Sequence, residues 1–291
     1  MPDTWSFGLT GYPLGHSISP VLHQSALDQA GLFGGYWLLP INPDKDGDKN
    51  LAELLKRLRI GQLHGLNVTI PHKQRVLSLV DDLTPSAAAI GASNTLYMDA
   101  NGRLIGDNTD APGFWDDVNH LPLKGEKNAL VLGAGGAARA VVYALLTHGW
   151  NIHITDIFEE QTQSLCGHFA AQKLDSGSLQ GIEFSPKSIE TAVENASLIV
   201  NTTPVGMHPK VEESPWPEGV PFPQGACLYD VVYNPMETRL MQQAKAAGLP
   251  CRCGLGMLVG QAALAFERWT GFAPDRNLML EAALQEKRSA K

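Results

Sequence analysis

The chain has 291 residues and a net charge of −8, with 44% hydrophobic and 18% charged residues. This is a folded chain long enough for two domains, each with its own core. The charge argues against nonspecific binding to nucleic acid or anionic membrane. No apolar run reaches the roughly 20 residues of a membrane span, and MPDTWSFGLTGY lacks the basic start and apolar block of a secretory signal.

Periodicity reads Ser6–Gly11 as a strand, Pro20–Ala30 as a helix and Tyr36–Ile41 as a strand. Asn50–Arg59 follows as a helix striped by Leu51, Leu54, Leu55 and Leu58, and Leu63–Ile70 as a strand. Strands separated by helices imply parallel pairing. A short helix at His72–Val80 and a hairpin over Asn94–Asp107, turning at Asn101-Gly102, complete an N-terminal α/β domain over residues 1–120. The polar segment Leu121–Lys127 reads as a linker.

A second alternating series occupies 121–253: Ala129–Leu132 (strand), Ala137–Thr147 (helix), Asn151–Asp156 (strand), Glu159–Gln172 (helix), Leu198–Asn201 and Leu228–Val232 (strands) and Thr238–Ala247 (helix). Pro204–Pro223 is too broken by proline for regular structure and reads as a surface loop. Residues 254–291 carry two helices, Leu258–Trp269 and Leu278–Lys287. Cys166, Cys227, Cys251 and Cys253 read as reduced thiols of a cytoplasmic protein. Cys251-x-Cys253 has no second pair or His cluster at zinc spacing, so no metal is expected.

Gly133-Ala134-Gly135-Gly136-Ala137-Ala138 lies between an apolar strand and an Ala-rich helix. In that context Gly133 permits the tight turn, Gly135 admits a pyrophosphate to the backbone, and small Ala138 lets helix and strand pack closely. Free N–H groups at the helix start then face the phosphates. The plainer alternative is a tight strand-to-helix turn. Asp156, about twenty positions on, suits the ribose hydroxyls of NAD and repels the 2′-phosphate of NADP. Ile157 and Phe158 supply no compensating cation, so NAD is expected and NADP is the alternative. Asp156 alternatively caps the helix near Glu159.

Three further segments resist a packing explanation. Ser17-Ile18-Ser19-Pro20 places two hydroxyls at a helix start, where Ser19 is the expected cap, and makes an anion pocket without arginine. Asn67–Lys73 (NVTIPHK) ends a strand and puts Lys73 in the first turn of a helix, where the dipole disfavours its charge and suits it to proton exchange. Asp107-Asn108-Thr109-Asp110 precedes another helix, with Asp110 either functional or its cap. His16 and His72 flank the site, and nothing in sequence orients His72 as a base, so a structural role is expected for them.

These segments, with Gly91-Ala92-Ser93-Asn94-Thr95, Asn201–Met207 (NTTPVGM), Asp230–Pro235 (DVVYNP) and Gly254-x-Gly256-Met257-Leu258-x-x-Gln261, occur in the order that resembles the shikimate dehydrogenase family along essentially the whole chain. The resemblance implies an N-terminal substrate domain, a Rossmann-like dinucleotide-binding domain, and C-terminal helices returning to the first. It implies a catalytic Lys73–Asp110 pair, and substrate contacts from Ser17, Ser19, Asn67, Thr69, Asn94, Asp110, Tyr233 and Gln261. Cofactor contacts would come from Gly133, Ala134, Gly135, Gly136, Ala137, Asp156, Thr203, Met207, Val232, Gly254 and Met257, in a cleft that closes on both ligands. The implied reaction is reversible reduction of 3-dehydroshikimate to shikimate. Asp156-Ile157-Phe158 stands where NADP-using members carry Asn-Arg-Thr, and this resembles the NAD-using quinate/shikimate branch. Ser93 replaces a bulkier apolar residue. A noncatalytic NAD-binding sensor is the rival of another class; retention of Lys73 and Asp110 argues against it. The sequence leaves oligomeric state open, a homodimer included.

Overall fold

Apolar residues at alternate positions from Trp5 build strand β1 (Trp5–Gly11), an inner strand of the first sheet. A computed structural model describes the chain apart from Met1, Asp3, Lys173, Asp175, Ser176, Ala290 and Lys291. It divides into two units, Met1–Gly113 with Leu258–Lys291, and Phe114–Met257.

In the first unit β1 leads through α1 (Ser19–Ala30) to β2 (Gly34–Pro40), and through α2 (Gly47–Arg59) to β3 (Gly65–Val68). The short strand β4 (Asp82–Leu83) and helix α3 (Pro85–Ile90) precede the hairpin of β5 (Thr95–Met98) and β6 (Leu104–Asp107), which leads into α4 (Asp110–Val118). The sheet order is β2-β1-β3-β5-β6-β4. β2, β1 and β3 are parallel as alternation predicts, whereas β5 runs antiparallel to both β3 and β6, so the sheet is mixed. Gly102, at φ 73, makes the hairpin turn that Asn101-Gly102 announces. All four leucines of the α2 stripe are buried in one core cluster with Leu66, Val68 and Leu96. Each such burial stabilises by about 2 kcal/mol.

The helix expected over His72–Val80 is reduced to a 3-10 turn at Arg75–Ser78. The cause is local. The Lys73 carbonyl accepts from the Ser93 N–H at 2.8 Å, so it is taken by another segment, and the Leu77 N–H turns to Gln74 instead.

The second unit alternates β7 (Asn128–Leu132), α5 (Gly136–Thr147), β8 (Asn151–Thr155), α6 (Glu159–Ala170), β9 (Ser178–Gly181), α7 (Pro186–Val193), β10 (Leu198–Asn201), β11 (Cys227–Asp230), α8 (Arg239–Ala246) and β12 (Cys251–Cys253). The order β12-β11-β10-β7-β8-β9, all parallel, is that of a doubly wound sheet. The sequence patterns missed β9, α7 and β12. β9 (SLQG) and β12 (CRC) are short outer strands without the apolar run that marks β10 (LIVN). α7 carried a readable signal, Ser185 capping the Ser188 N–H ahead of Pro186. The expected linker Leu121–Lys127 lies inside this unit rather than at its border, because α4 runs through the boundary.

The last helices are α9 (Leu255–Thr270) and α10 (Arg276–Ser289). From Leu258 onward they belong to the first unit, where α10 packs on α1. Among the described residues no helix is long and apolar enough to cross a membrane.

Candidate active site

In the first unit the turn after β3 brings Lys73 to the start of α4, where its Nζ donates to Asp110 Oδ2 at 2.6 Å. Both side chains are largely buried, at 12% and 7% exposure. The other carboxylate oxygen of Asp110 accepts from Asn94 Nδ2 at 2.9 Å. Asn94 is itself fixed, because the Thr109 N–H donates to its Oδ1 at 2.8 Å, and a backbone N–H accepts nothing, so the amide cannot turn over. Gln261 from α9 reaches the same amide at 3.4 Å and donates to the Leu258 carbonyl. Lys73, Asp110, Asn94 and Gln261, far apart in sequence, thus form one connected group.

Two cap assignments are corrected. Ser19 is the first residue of α1, not its cap; Ile18 holds that position without a side-chain bond. Ser17 Oγ accepts the Ser19 N–H at 3.3 Å and donates to Ser19 Oγ at 3.2 Å, so the two hydroxyls form a pair at the helix start. Asp110 does not cap α4 either. Asn108 Oδ1 accepts the N–H groups of Asp110 and Ala111, leaving the Asp110 carboxylate to Lys73 and Asn94. The expected dipole effect on Lys73 also falls away, because the 3-10 turn starts two residues later at Arg75.

Asn67, on β3, donates to the Asn94 carbonyl at 3.0 Å and to Thr95 Oγ1 at 3.1 Å. Thr69 is half-buried just beyond, its N–H bonded to Thr10. His72 is fully buried with Nε2 2.8 Å from the Ile41 carbonyl, a structural tether across the first unit. Ser93 has a physical role, its hydroxyl donating to the Asp107 carbonyl at 2.8 Å under β6.

In the second unit the cofactor candidates collect at the carboxyl ends of the parallel strands, where such sheets bind ligands. Gly133 sits at φ 98, and a side chain there would strike Thr202 and Thr203. Gly135 caps α5 with open space where a Cβ would stand, and no side-chain cap bond occupies the helix start. That cradle fits a pyrophosphate. Asp156 accepts the Ala134 N–H through Oδ2 at 2.8 Å and the Phe158 N–H through Oδ1 at 2.9 Å. Asp156 therefore does not cap α6, whose cap is Phe158; it ties the end of β8 to the glycine loop.

Thr203, after β10, bonds Asn201 Oδ1 through both its N–H and its hydroxyl, and Asn201 donates to Asp230 on β11. Asp230 also accepts from the Val232 N–H and the Thr238 hydroxyl. Burial pushes its carboxyl up to about 6, against the pull of Thr238, Val232 and Asn201. Gly254, after β12, has no room for a Cβ against the Val231 carbonyl, and the Met257 N–H donates to Asp117 at 3.2 Å. Met207 is exposed, and Tyr233 follows β11 with its phenol pushed up by burial. Sequence reasoning missed Thr109, Asn108 and Thr95, which hold the acid and amide groups in place. All three lie inside motifs already singled out and are readable as their supports.

Residues 9–96 match the shikimate dehydrogenase substrate binding domain, and 254–284 the shikimate 5′-dehydrogenase C-terminal domain. A shikimate dehydrogenase (NADP(+)) of Salinibacter ruber is 40% identical over 267 residues, covering 90% of each chain. Shikimate 5-dehydrogenase of Thermus thermophilus, solved with NADP(H) and shikimate, is 38% identical, covers 97% of this chain and 99% of its own, and gives a TM-score of 0.82. Quinate dehydrogenase of Corynebacterium glutamicum, solved with NAD, is 31% identical, with 98% and 100% coverage and a TM-score of 0.86. With the expected catalytic pair assembled and the doubly wound sheet in place, these likenesses show that the chain belongs to the shikimate dehydrogenase family of nicotinamide-dependent oxidoreductases.

Proposed function

We propose that the chain interconverts 3-dehydroshikimate and shikimate, with NAD as the preferred cofactor, through the Lys73–Asp110 pair. The observation that carries this reading is the buried 2.6 Å contact between the two, with Asp110 also tied to Asn94. The nicotinamide, when bound, exchanges hydride with the ring carbon. Lys73 supplies the proton that the ketone oxygen needs on reduction and takes it back on oxidation, while its positive charge stabilises the developing oxyanion. Asp110 orients Lys73 and accepts from a neighbouring ring hydroxyl. Ser17 and Ser19, with Thr69, offer hydroxyls to the carboxylate, which an acidic protein without an arginine at this position requires. Asn67, Asn94 and Gln261 meet the remaining hydroxyls, and Tyr233 is a further substrate residue.

Gly133–Ala137 hold the pyrophosphate, and Asp156 faces the adenosine ribose. Thr203, Met207, Val232, Gly254 and Met257 line the nicotinamide end. The NAD preference rests on Asp156 and on the lack of a cation at Ile157 and Phe158; the Corynebacterium relative solved with NAD supports it, whereas the Salinibacter name argues for NADP. Free thiols at Cys166, Cys227, Cys251 and Cys253 support a cytoplasmic setting.

The test is Lys73→Ala, assayed by formation of reduced cofactor from shikimate. It should lower kcat by about 10²–10⁴ while shikimate still binds. A loss below about threefold removes Lys73 from the proton transfer. NADP turning over faster than NAD refutes the Asp156 reading alone. Quinate serving as well as shikimate moves the chain to the dual-substrate branch, and cofactor binding without turnover of either makes the sensor reading the better one.

A further inference from the structure

The polar network of the first unit continues beyond the residues assigned above, into an aromatic stack. Strand register aligns Tyr36 on β2, Phe7 on β1 and Gly65 on β3 in one row, and Asn67 lies two residues beyond Gly65 on the same face. Gly65 has no side chain because the indole of Trp269 occupies that space. Trp269 stacks on Phe7 at 4.8 Å between centroids and on His23 at 5.2 Å, and His23 lies parallel to Tyr36 at 4.2 Å with 4° between planes. The Tyr36 hydroxyl then donates to Asn67 Oδ1 at 2.9 Å.

His23 is an odd residue for this place. It is fully buried, neither ring nitrogen makes a hydrogen bond of good geometry, and burial pushes it down to about 3 against a weaker upward pull from the nearby Asn67 side chain, so the stack holds a neutral imidazole. Two unsatisfied ring nitrogens are a cost to folding that an apolar ring would avoid. The ring does hold Tyr36 flat, and the Tyr36 hydroxyl decides which lone pair of Asn67 Oδ1 is left.

The orientation of the Asn67 amide is set by the Asn94 carbonyl, which only accepts, so Nδ2 must face it. Nδ2 spends its second hydrogen on Thr95 Oγ1. Both donors are therefore used inside the protein, and Oδ1 already takes one hydrogen from Tyr36. One acceptor lone pair remains.

We infer that Tyr36, held in place by His23, is a positioning residue: its hydroxyl takes one lone pair of Asn67 Oδ1 and aims the other, so that Asn67, both of whose donors are used, is a single acceptor specific for a substrate hydroxyl and unable to hold a carboxylate or ketone oxygen. This rests on the reading that Asn67 meets the substrate. Tyr36→Phe removes the hydroxyl, and with it the hydrogen bond that aims Asn67 Oδ1, and leaves the aromatic stack intact.

The experiment measures KM for shikimate, KM for the dinucleotide, kcat and thermal stability in Tyr36→Phe, His23→Leu, His23→Phe and Asn67→Ala. Tyr36→Phe should raise the shikimate KM roughly three- to tenfold, the worth of one hydrogen bond, with kcat and dinucleotide KM within about twofold. His23→Leu should follow it, and His23→Phe, which keeps a flat ring between Tyr36 and Trp269, should recover most of that loss. In deoxy analogues of shikimate, each lacking one ring hydroxyl, the Tyr36→Phe effect should vanish for a single analogue. If Asn67→Ala raises the shikimate KM but Tyr36→Phe does not, the inference fails and the reading of Asn67 stands. If Asn67→Ala leaves the KM unchanged, the substrate reading of Asn67 fails and the inference with it. A Tyr36→Phe protein impaired equally in both KM values and in kcat has lost general packing, which also overturns the inference.

Discussion

Asp117 offers a measurement of how firmly the second unit is held. Its Oδ2 accepts from the Tyr229 hydroxyl at 2.6 Å and the Met257 N–H at 3.2 Å, and its Oδ1 accepts from Arg252 Nε at 2.7 Å and Nη2. The carboxylate is 5% exposed on its side chain, and Tyr229 is fully buried. Asp117→Ala leaves the Tyr229 hydroxyl without an acceptor, worth about 1–3 kcal/mol, and deprives the Met257 N–H of its partner. Arg252 is 36% exposed and turns to water once released, so the ion pair itself adds little. The expected cost is about 2–5 kcal/mol in all. For a unit of this size that lowers the melting temperature by roughly 5–15 °C.

Tyr229→Phe should cost only about 1 kcal/mol, because no orphaned group remains. The double variant should then be milder than the sum of the singles by about 1–3 kcal/mol, since Asp117→Ala no longer strands a hydroxyl. Thermal and urea unfolding of the four proteins measures this. Additivity within about 0.5 kcal/mol would show that Tyr229 and Asp117 are not coupled and that the bond is incidental.

Three further outcomes are expected. His23, pushed down to about 3 from 6.5, contributes stability that is full above pH 6.5 and lost as pH falls toward 3, because the unfolded chain takes the proton first; His23→Phe should therefore lose less stability than the wild type across that range, and equal loss refutes the assignment. Asp230 has the opposite sign: raised from 3.8 to about 6, it binds its proton more tightly when folded, so its contribution falls as pH rises through that window. Asp230→Asn should flatten this decline in thermal melts, and an unchanged slope counts against it. Arg139 is buried at 6% exposure with its Nε unpartnered, and burial lowers its pKa. Arg139→Met should leave the melting temperature of the cofactor-free protein unchanged or higher, whereas a drop of several degrees would reveal a compensating interaction.

The sequence made the doubly wound sheet legible because β7, α5, β8 and α6 each carry a full periodic pattern around the glycine loop. It also named both members of the Lys73–Asp110 pair, through motifs rather than through geometry. What it misplaced has identifiable causes. Lys73 was put on a helix because residues 72–80 have helical spacing, and only the tertiary bond from Ser93 to its carbonyl reveals why the helix does not form. Asp110 read equally well as a cap, since the competing cap, Asn108, differs from it only in where its side chain turns. The stack of Tyr36, His23, Trp269 and Phe7 was illegible for a different reason. Its members come from two strands and two helices, and each looks like ordinary core until the register of β1 with β2 and β3 is known.

The amides of the first unit show how an acidic chain prepares a polar site without loose parts. Asn94 and Asn67 are each held by a backbone group that permits only one orientation, the Thr109 N–H for Asn94 and the Asn94 carbonyl for Asn67. The Thr95 hydroxyl lies between them, accepting from Asn67 and donating to Asn94 Oδ1 at 3.1 Å. A hydroxyl that accepts from one amide and donates to the other transmits the orientation of each to its neighbour. Asp110 then receives an N–H from Asn94 on one oxygen and the ammonium of Lys73 on the other, so the carboxylate is constrained at both ends ahead of the proposed reaction. Preorganisation of this kind removes reorganisation from the reaction itself. It also makes the network indivisible: a substitution at Asn67, Thr95 or Asn94 disturbs Asp110 through the same chain of bonds, and its effects on turnover will not add as those of independent residues do.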